Sequence, residues 1–166
     1  MLWSSLSDEL VWDKEKGELR ILGRRQLAIT PQDLCNYLDS LVGVPVSDVI
    51  INNLEFRGGK QETELFRKER PNSSVRDLID VLIKYDSLTG VGITTVTLPE
   101  QQDQPILLEI FNPCVKGTIG AAKSFLFSWW CGALSALLGR DFEARNAAYD
   151  EKSNAMRCEI LPRPKD

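Results

Sequence analysis

The chain contains no histidine in 166 residues. Serine–histidine and cysteine–histidine nucleophilic pairs, histidine zinc ligands and histidine-ligated haem are excluded with it. Any acid–base chemistry would fall to Asp, Glu, Lys, Tyr or Cys. Cysteine is scarce as well. Cys35, Cys114, Cys131 and Cys158 stand far apart without a CxxC pair, so neither a zinc ribbon nor a thioredoxin-type motif is present. There is no Gly-rich dinucleotide fingerprint: "RGGK" (57–60) has neither the spacing nor a strand-to-helix context, and no nicotinamide cofactor is indicated. The start, "MLWSSLSDELVW", lacks a basic region followed by an apolar run. It is no secretion signal, and the expectation is a cytoplasmic protein with reduced thiols.

Positive charge is also in deficit. Twenty Lys and Arg against 24 Asp and Glu leave a net charge of −4, whereas nucleic-acid binding needs clustered cations. The basic run "FRKER" (66–70) lies among Glu62, Glu64 and Glu69. It reads as a solvated helix face with charge pairs rather than a phosphate site. No repeat or long linker divides the chain, so residues 1–166 are read as one domain.

What is present is a succession of short elements. "LVWDKEKGELRIL" (10–22) reads as a hairpin turning at Gly17. "TPQDLCNYLDSLVG" (30–43) reads as a helix with Thr30 as N-cap, Pro31 at its first position and Gly43 as the stop. Leu34, Tyr37, Leu38 and Leu41 form its apolar face, with Cys35 on the flank. A second helix over 45–56 ends at Gly58-Gly59, and a third, polar one covers 60–70. Ser74 and Asp77 cap a fourth, over 75–88. "VGITTVTL" and "QPILLEIF" pair as strands, then a long apolar helix runs from about 117 to 139. The runs "DFEARNAA" and "NAMRCEIL" close the chain as a hairpin. Segregated helices and antiparallel strands make the class α+β.

The apolar helix carries the most information. Its charge-free window, Ser124–Gly139, is 16 residues, about 24 Å at about 1.5 Å per residue. A membrane span needs roughly 20, so this is read as a buried helix, not a transmembrane segment. Gly120, Ser124, Ser128, Gly132, Ser135 and Gly139 form a stripe of small residues that lets another backbone, in this chain or a second subunit, come close. Leu126, Trp129, Trp130, Ala133 and Leu137 fall on the other side. Two readings stand: a central core helix, or a helix whose Phe125, Leu126, Trp129 and Trp130 border an apolar pocket. In the terminal hairpin, a turn near Lys152 sets Asn146 opposite Cys158. Amide and thiol would then lie side by side on an apolar face, as a satisfied core pair or as a polar anchor for a ligand.

"WWCGALSALLG" followed by "FEARNAAYDEKSNAMRCEI" resembles the C-terminal half of the 4-vinyl-reductase-type, or hydrocarbon-binding, domain. Glu143, Ala148 and Cys158 match its strand pattern, Gly132 and Gly139 its helix, and "FNP" (111–113) the segment before it. "RRQLAITPQDLCNYLDSLVG" (24–43) is similar to its opening strand and helix. Asn146 replaces the first cysteine of the pattern, Asp150 a glycine and Ile160 an aromatic, so a paired-thiolate metal site is incomplete. The resemblance implies an antiparallel sheet on helices, a homodimer and a pocket for a hydrophobic molecule: a tetrapyrrole, an aromatic or a lipid chain. TRAPP vesicle-tethering subunits share the fold. A cysteine near a helix in some of them carries an acyl chain, for which Cys35 is a positional analogue, though a plain core cysteine also accounts for it. The expectation is a stand-alone binding module with ligand-contacting Phe125, Leu126, Trp129, Trp130, Asn146 and Cys158, and no catalytic or metal-binding residue. The alternatives are an assembly protein resembling the tethering subunits, and an accessory factor in tetrapyrrole vinyl reduction.

Overall fold

The structure is a computed structural model describing residues 10–13, 18–21, 24–26, 31–101 and 104–164. Strands β1 (Leu10–Asp13), β2 (Glu18–Ile21) and β3 (Arg24–Gln26) form a small antiparallel sheet. The turn at Gly17 and the cap at Thr30 lie outside the described residues. Helices α1 (Pro31–Val42), α2 (Val44–Glu69) and α3 (Val75–Thr89) follow, then β4 (Ile93–Thr97) and β5 (Ile106–Phe111). Helix α4 (Gly120–Leu138) precedes the hairpin of β6 (Phe142–Asp150) and β7 (Ala155–Pro162). The second sheet has the order β4-β5-β7-β6, antiparallel throughout. The class is α+β, as the sequence pattern implies.

Alternation sets the faces of this sheet. Ile106, Leu108 and Ile110 of β5, with Met156, Cys158 and Ile160 of β7, turn into the core. Their neighbours Glu109 and Arg157 pair on the outer face. The core cluster unites these strands with α4, and α4 in turn packs along α2 and against α1. Fifteen of its 19 residues are buried, which is why it is apolar nearly all round. It is a core helix of the fold, although its length and composition also satisfy those of a membrane span.

Two expectations about the helices need correction. Gly58-Gly59 does not end a helix: α2 runs unbroken for 26 residues. A Cβ on Gly59 would lie 2.0 Å from the Trp129 carbonyl oxygen, and one on Gly132 would lie 1.9 Å from that of Phe56. Glycine is needed here because two helix backbones touch, not because a turn needs positive φ. The small-residue stripe of α4 is therefore used inside the chain, against α2, rather than offered to a second subunit. On α1 the buried residue is Cys35, while Tyr37 and Leu41 are exposed. Leu38 alone of the two flanking turns packs on the core with it.

The remaining helix ends follow local chemistry. Ser74 and Asp77 make the expected reciprocal capping box, and Gly90 and Gly139 close α3 and α4 in left-handed conformation. The first turn of α4 is capped from another element. Asp39 of α1 accepts the Ala121 N–H at 3.2 Å and the Ser47 hydroxyl, placing a carboxylate at the positive end of the helix.

Candidate functional site

The two adjacent tryptophans point to different neighbours and meet the same kind of partner. Trp129 is part-buried and its indole lies over Gly58 of α2, with Cδ1 at 3.9 Å from where a Cβ would stand. Its Nε1–H donates to Glu62 Oε2 at 3.0 Å. Tyr85 of α3 donates its hydroxyl to the other oxygen, Oε1, at 2.9 Å. Trp130 is fully buried and donates to Asp86 Oδ2 at 2.6 Å. Thr94 of β4 donates to the same oxygen at 2.8 Å. Tyr85 and Trp129 stack at 6.0 Å between centroids, and Phe66 and Trp130 extend the group edge-to-face. The result is an aromatic junction of α2, α3 and α4 floored by carboxylates.

A third carboxylate, Glu55, lies close by. Burial pushes its pKa up to about 7, and the charges of Glu62 and Asp86 add to the effect. Asp86 is likewise raised to about 7, first by burial; the bonds from Thr94 and Trp130 pull the other way. Every group perturbing Glu55, and the charged group perturbing Asp86, is anionic. Near neutrality Glu55 and Asp86 thus hold and release protons instead of carrying fixed charge. Such groups in an apolar setting can accept a hydrogen bond or hold a cationic group.

The candidate residues from sequence distribute unevenly around this junction. Trp129 and Trp130 are central to it. Leu126 is fully buried, and Phe125 is part-buried against the core. Asn146 lies roughly opposite Cys158, as the expected turn implies, but the two do not share a face. A bulge between Arg145 and Ala148 shifts β6 by one residue, with Asn146 at φ 53°. The inward positions become Phe142 and Ala144 before it and Ala147 and Tyr149 after it. Asn146 is left outside, where its amide donates to Glu159 at 2.7 Å. Cys158 faces the core, and burial holds its thiol far above the usual range, with the nearby Cys131 raising it further. Burial likewise raises Cys131 to about 12 and both Cys35 and Cys114 to about 11.

The carboxylates escaped sequence reading because Glu62 sits in what looks like a solvated polar helix, and Asp86 in the last turn of an amphipathic one. The available signal was a buried indole needing an acceptor. A polar cleft of about 410 Å³ opens elsewhere, lined by Lys60, Glu64, Ser135, Ala136, Gly139, Arg140 and Asp141. None of the candidate residues borders it.

The described residues form an antiparallel four-stranded sheet over a buried helix, with three further helices and a small three-stranded sheet. The phenol-responsive sensory domain of the transcription activator PoxR, solved with phenol, is similar over 96% of this chain and 87% of its own, with a TM-score of 0.72 and 15% sequence identity. A vinyl-4-reductase family protein from Methanocaldococcus jannaschii matches 84% of this chain and 100% of its own, at a TM-score of 0.49 and 13% identity. No family model and no curated protein matches the sequence. The fold implied by the resemblance is the fold observed.

Proposed function

We propose that this chain, taken as one domain, is a cytoplasmic binding module for a small hydrophobic molecule, an aromatic one by preference. The observation that carries the reading is the pair of indole N–H groups, Trp129 and Trp130, held on Glu62 and Asp86 within an apolar junction. Stacking surface and hydrogen-bonding groups stand together there, as small-molecule sites require. The likeness to a phenol-responsive domain supports the same class of ligand. A single ring suits the junction better than a tetrapyrrole, because Leu126 and Trp130 are already only 1% exposed. Phe125 and Trp129, less buried, are the side chains a ligand would reach first. Cys158 contributes apolar packing from the sheet side. Asn146, on the outer face, is not part of the proposed contact set.

The test is native mass spectrometry of freshly purified protein with organic extraction, then titration with phenol and other single-ring aromatics followed by tryptophan fluorescence. A co-purifying apolar molecule, or saturable quenching that Trp129→Ala weakens at least about tenfold, roughly 1.4 kcal/mol, supports the reading. An empty protein that responds to no aromatic, with an identical Trp129→Ala variant, overturns it. The alternative reading, an assembly protein, draws on a different observation: a broad apolar surface on α1 and α2.

A further inference from the structure

The aromatic junction has used up its hydrogen-bond donors. Trp129 and Tyr85 donate to the two oxygens of Glu62. Trp130 and Thr94 both donate to Asp86 Oδ2. The side-chain donors of α3, α4 and β4 thus end on carboxylates of α2 and α3, and a ligand acceptor finds none of them free. Acceptors are left over. Asp86 is only 4% exposed, yet its Oδ1 takes neither of those bonds. Glu55, earlier on α2, has no hydrogen bond or ion pair among the described residues.

Positive charge to match is missing. Among the described residues no ion pair ends on Glu55, Glu62 or Asp86. The charges that act on Glu55 are those of Glu62 and Asp86, and the charge that acts on Asp86 is that of Glu62. Carboxyl groups of two helices therefore act on one another among aromatic rings, with no cation between them. Charge in such a setting is costly, and the empty site meets the cost by taking up protons. A cation from outside would meet it equally well. A metal ion does not fit, since no three His, Cys, Asp or Glu side chains among the described residues converge closely enough to hold one. The rings suit an organic cation. Trp129 and Tyr85 stack at 6.0 Å between centroids, and an ammonium group is drawn to aromatic faces as well as to carboxylates.

We propose that the ligand of this junction is a single-ring aromatic carrying a protonated amine, its ring against Trp129 and its ammonium received by Glu55 and Asp86. The proposal rests on the reading of the junction as an aromatic-binding site and narrows its ligand. A ring with a hydroxyl can fill an acceptor but leaves the charge unmatched. A ring with a carboxylate adds one more anion and is repelled. Hydrogen bonds between charged partners are the stronger ones, which sets the order amine, alcohol, carboxylate.

The test is calorimetric titration of the full chain at neutral pH with benzylamine, benzyl alcohol and benzoate, probes of nearly one shape. Benzylamine should bind at least about tenfold tighter than benzyl alcohol, and benzoate should not bind. Uptake of the amine should release protons, seen as a heat that changes with the ionisation enthalpy of the buffer. Glu55→Gln keeps the shape and removes the charge, and should cut the amine-over-alcohol ratio at least about fivefold. If that variant does not fold, proton release by the unaltered chain decides alone. Equal affinity for amine and alcohol, amine binding without proton release, or an unchanged ratio in Glu55→Gln overturns the proposal and leaves aromatic binding standing. A chain that takes up neither these probes nor phenol overturns the aromatic-binding reading, and this proposal with it.

Discussion

Gly59 on α2 and Gly132 on α4 each lie against the other helix's backbone, with no room for a methyl group on either. Gly59→Ala or Gly132→Ala has no flexible side chain to displace, only a carbonyl. Each substitution should cost about 1–3 kcal/mol or more, a fall in Tm of roughly 2–12 °C for a domain of this size. Gly58→Ala is the contrast. Its added methyl meets only Trp129 Cδ1 at an ordinary 3.9 Å, and removing a mid-helix glycine should gain about 0.5–1 kcal/mol. Thermal unfolding of the three variants decides. Equal behaviour of Gly58 and Gly59 variants would refute the crossing as described.

The carboxylates at the junction should couple stability to pH. Glu55 and Asp86 have folded-state values of about 7, against roughly 4 in an unfolded chain. Between these limits the folded chain holds protons that the unfolded chain has released. Stability from these groups should therefore be greatest near pH 4, fall as pH rises to about 7, and level off above. Asp86→Asn with Glu55→Gln should remove most of that slope. Denaturant unfolding at pH 5 and pH 8 measures it; an unchanged slope in the double variant would show that other groups carry the effect.

All four thiols should be inert in the native protein. Cys35, Cys131 and Cys158 are buried, Cys114 is half-buried, and desolvation raises every one of them. A thiol reagent at neutral pH should label none rapidly and all four in denaturant. Fast labelling of Cys35 would instead mark it as a modifiable site of the kind an acyl-carrying cysteine needs.

Asn146 occupies a left-handed backbone position at the bulge, which asparagine and glycine tolerate better than alanine. Asn146→Ala should cost about 1–2 kcal/mol and Asn146→Gly much less. Neither should alter aromatic binding, since the residue lies on the outer face. Loss of binding in both variants would restore Asn146 to the site.

The sequence was legible where one local rule decided the outcome. The Ser74–Asp77 capping box, the pairing of β4 with β5, and the terminal hairpin all follow from spacing within a few residues. So does the end of α4, which stops at Gly139 in left-handed conformation. Legibility failed where distant segments meet. Gly58-Gly59 carries a stop signal locally, and only the backbone of α4, some 70 residues later, turns it into a crossing point. The bulge at Asn146 is one extra residue in a strand, invisible to alternation counting, and it moved the amide from the inner to the outer face. Glu62 and Asp86 look like surface carboxylates until α4 delivers its indoles to them.

Helix α4 touches the sheet on one side and α2 backbone-to-backbone on another. With glycine at the crossing there is no side-chain cushion, so a shift of α4 transmits to α2 without being absorbed by rotamer changes. The indoles of Trp129 and Trp130 ride on α4 beside that crossing. The indoles are therefore set relative to α2 by a backbone contact that no change of rotamer can relax.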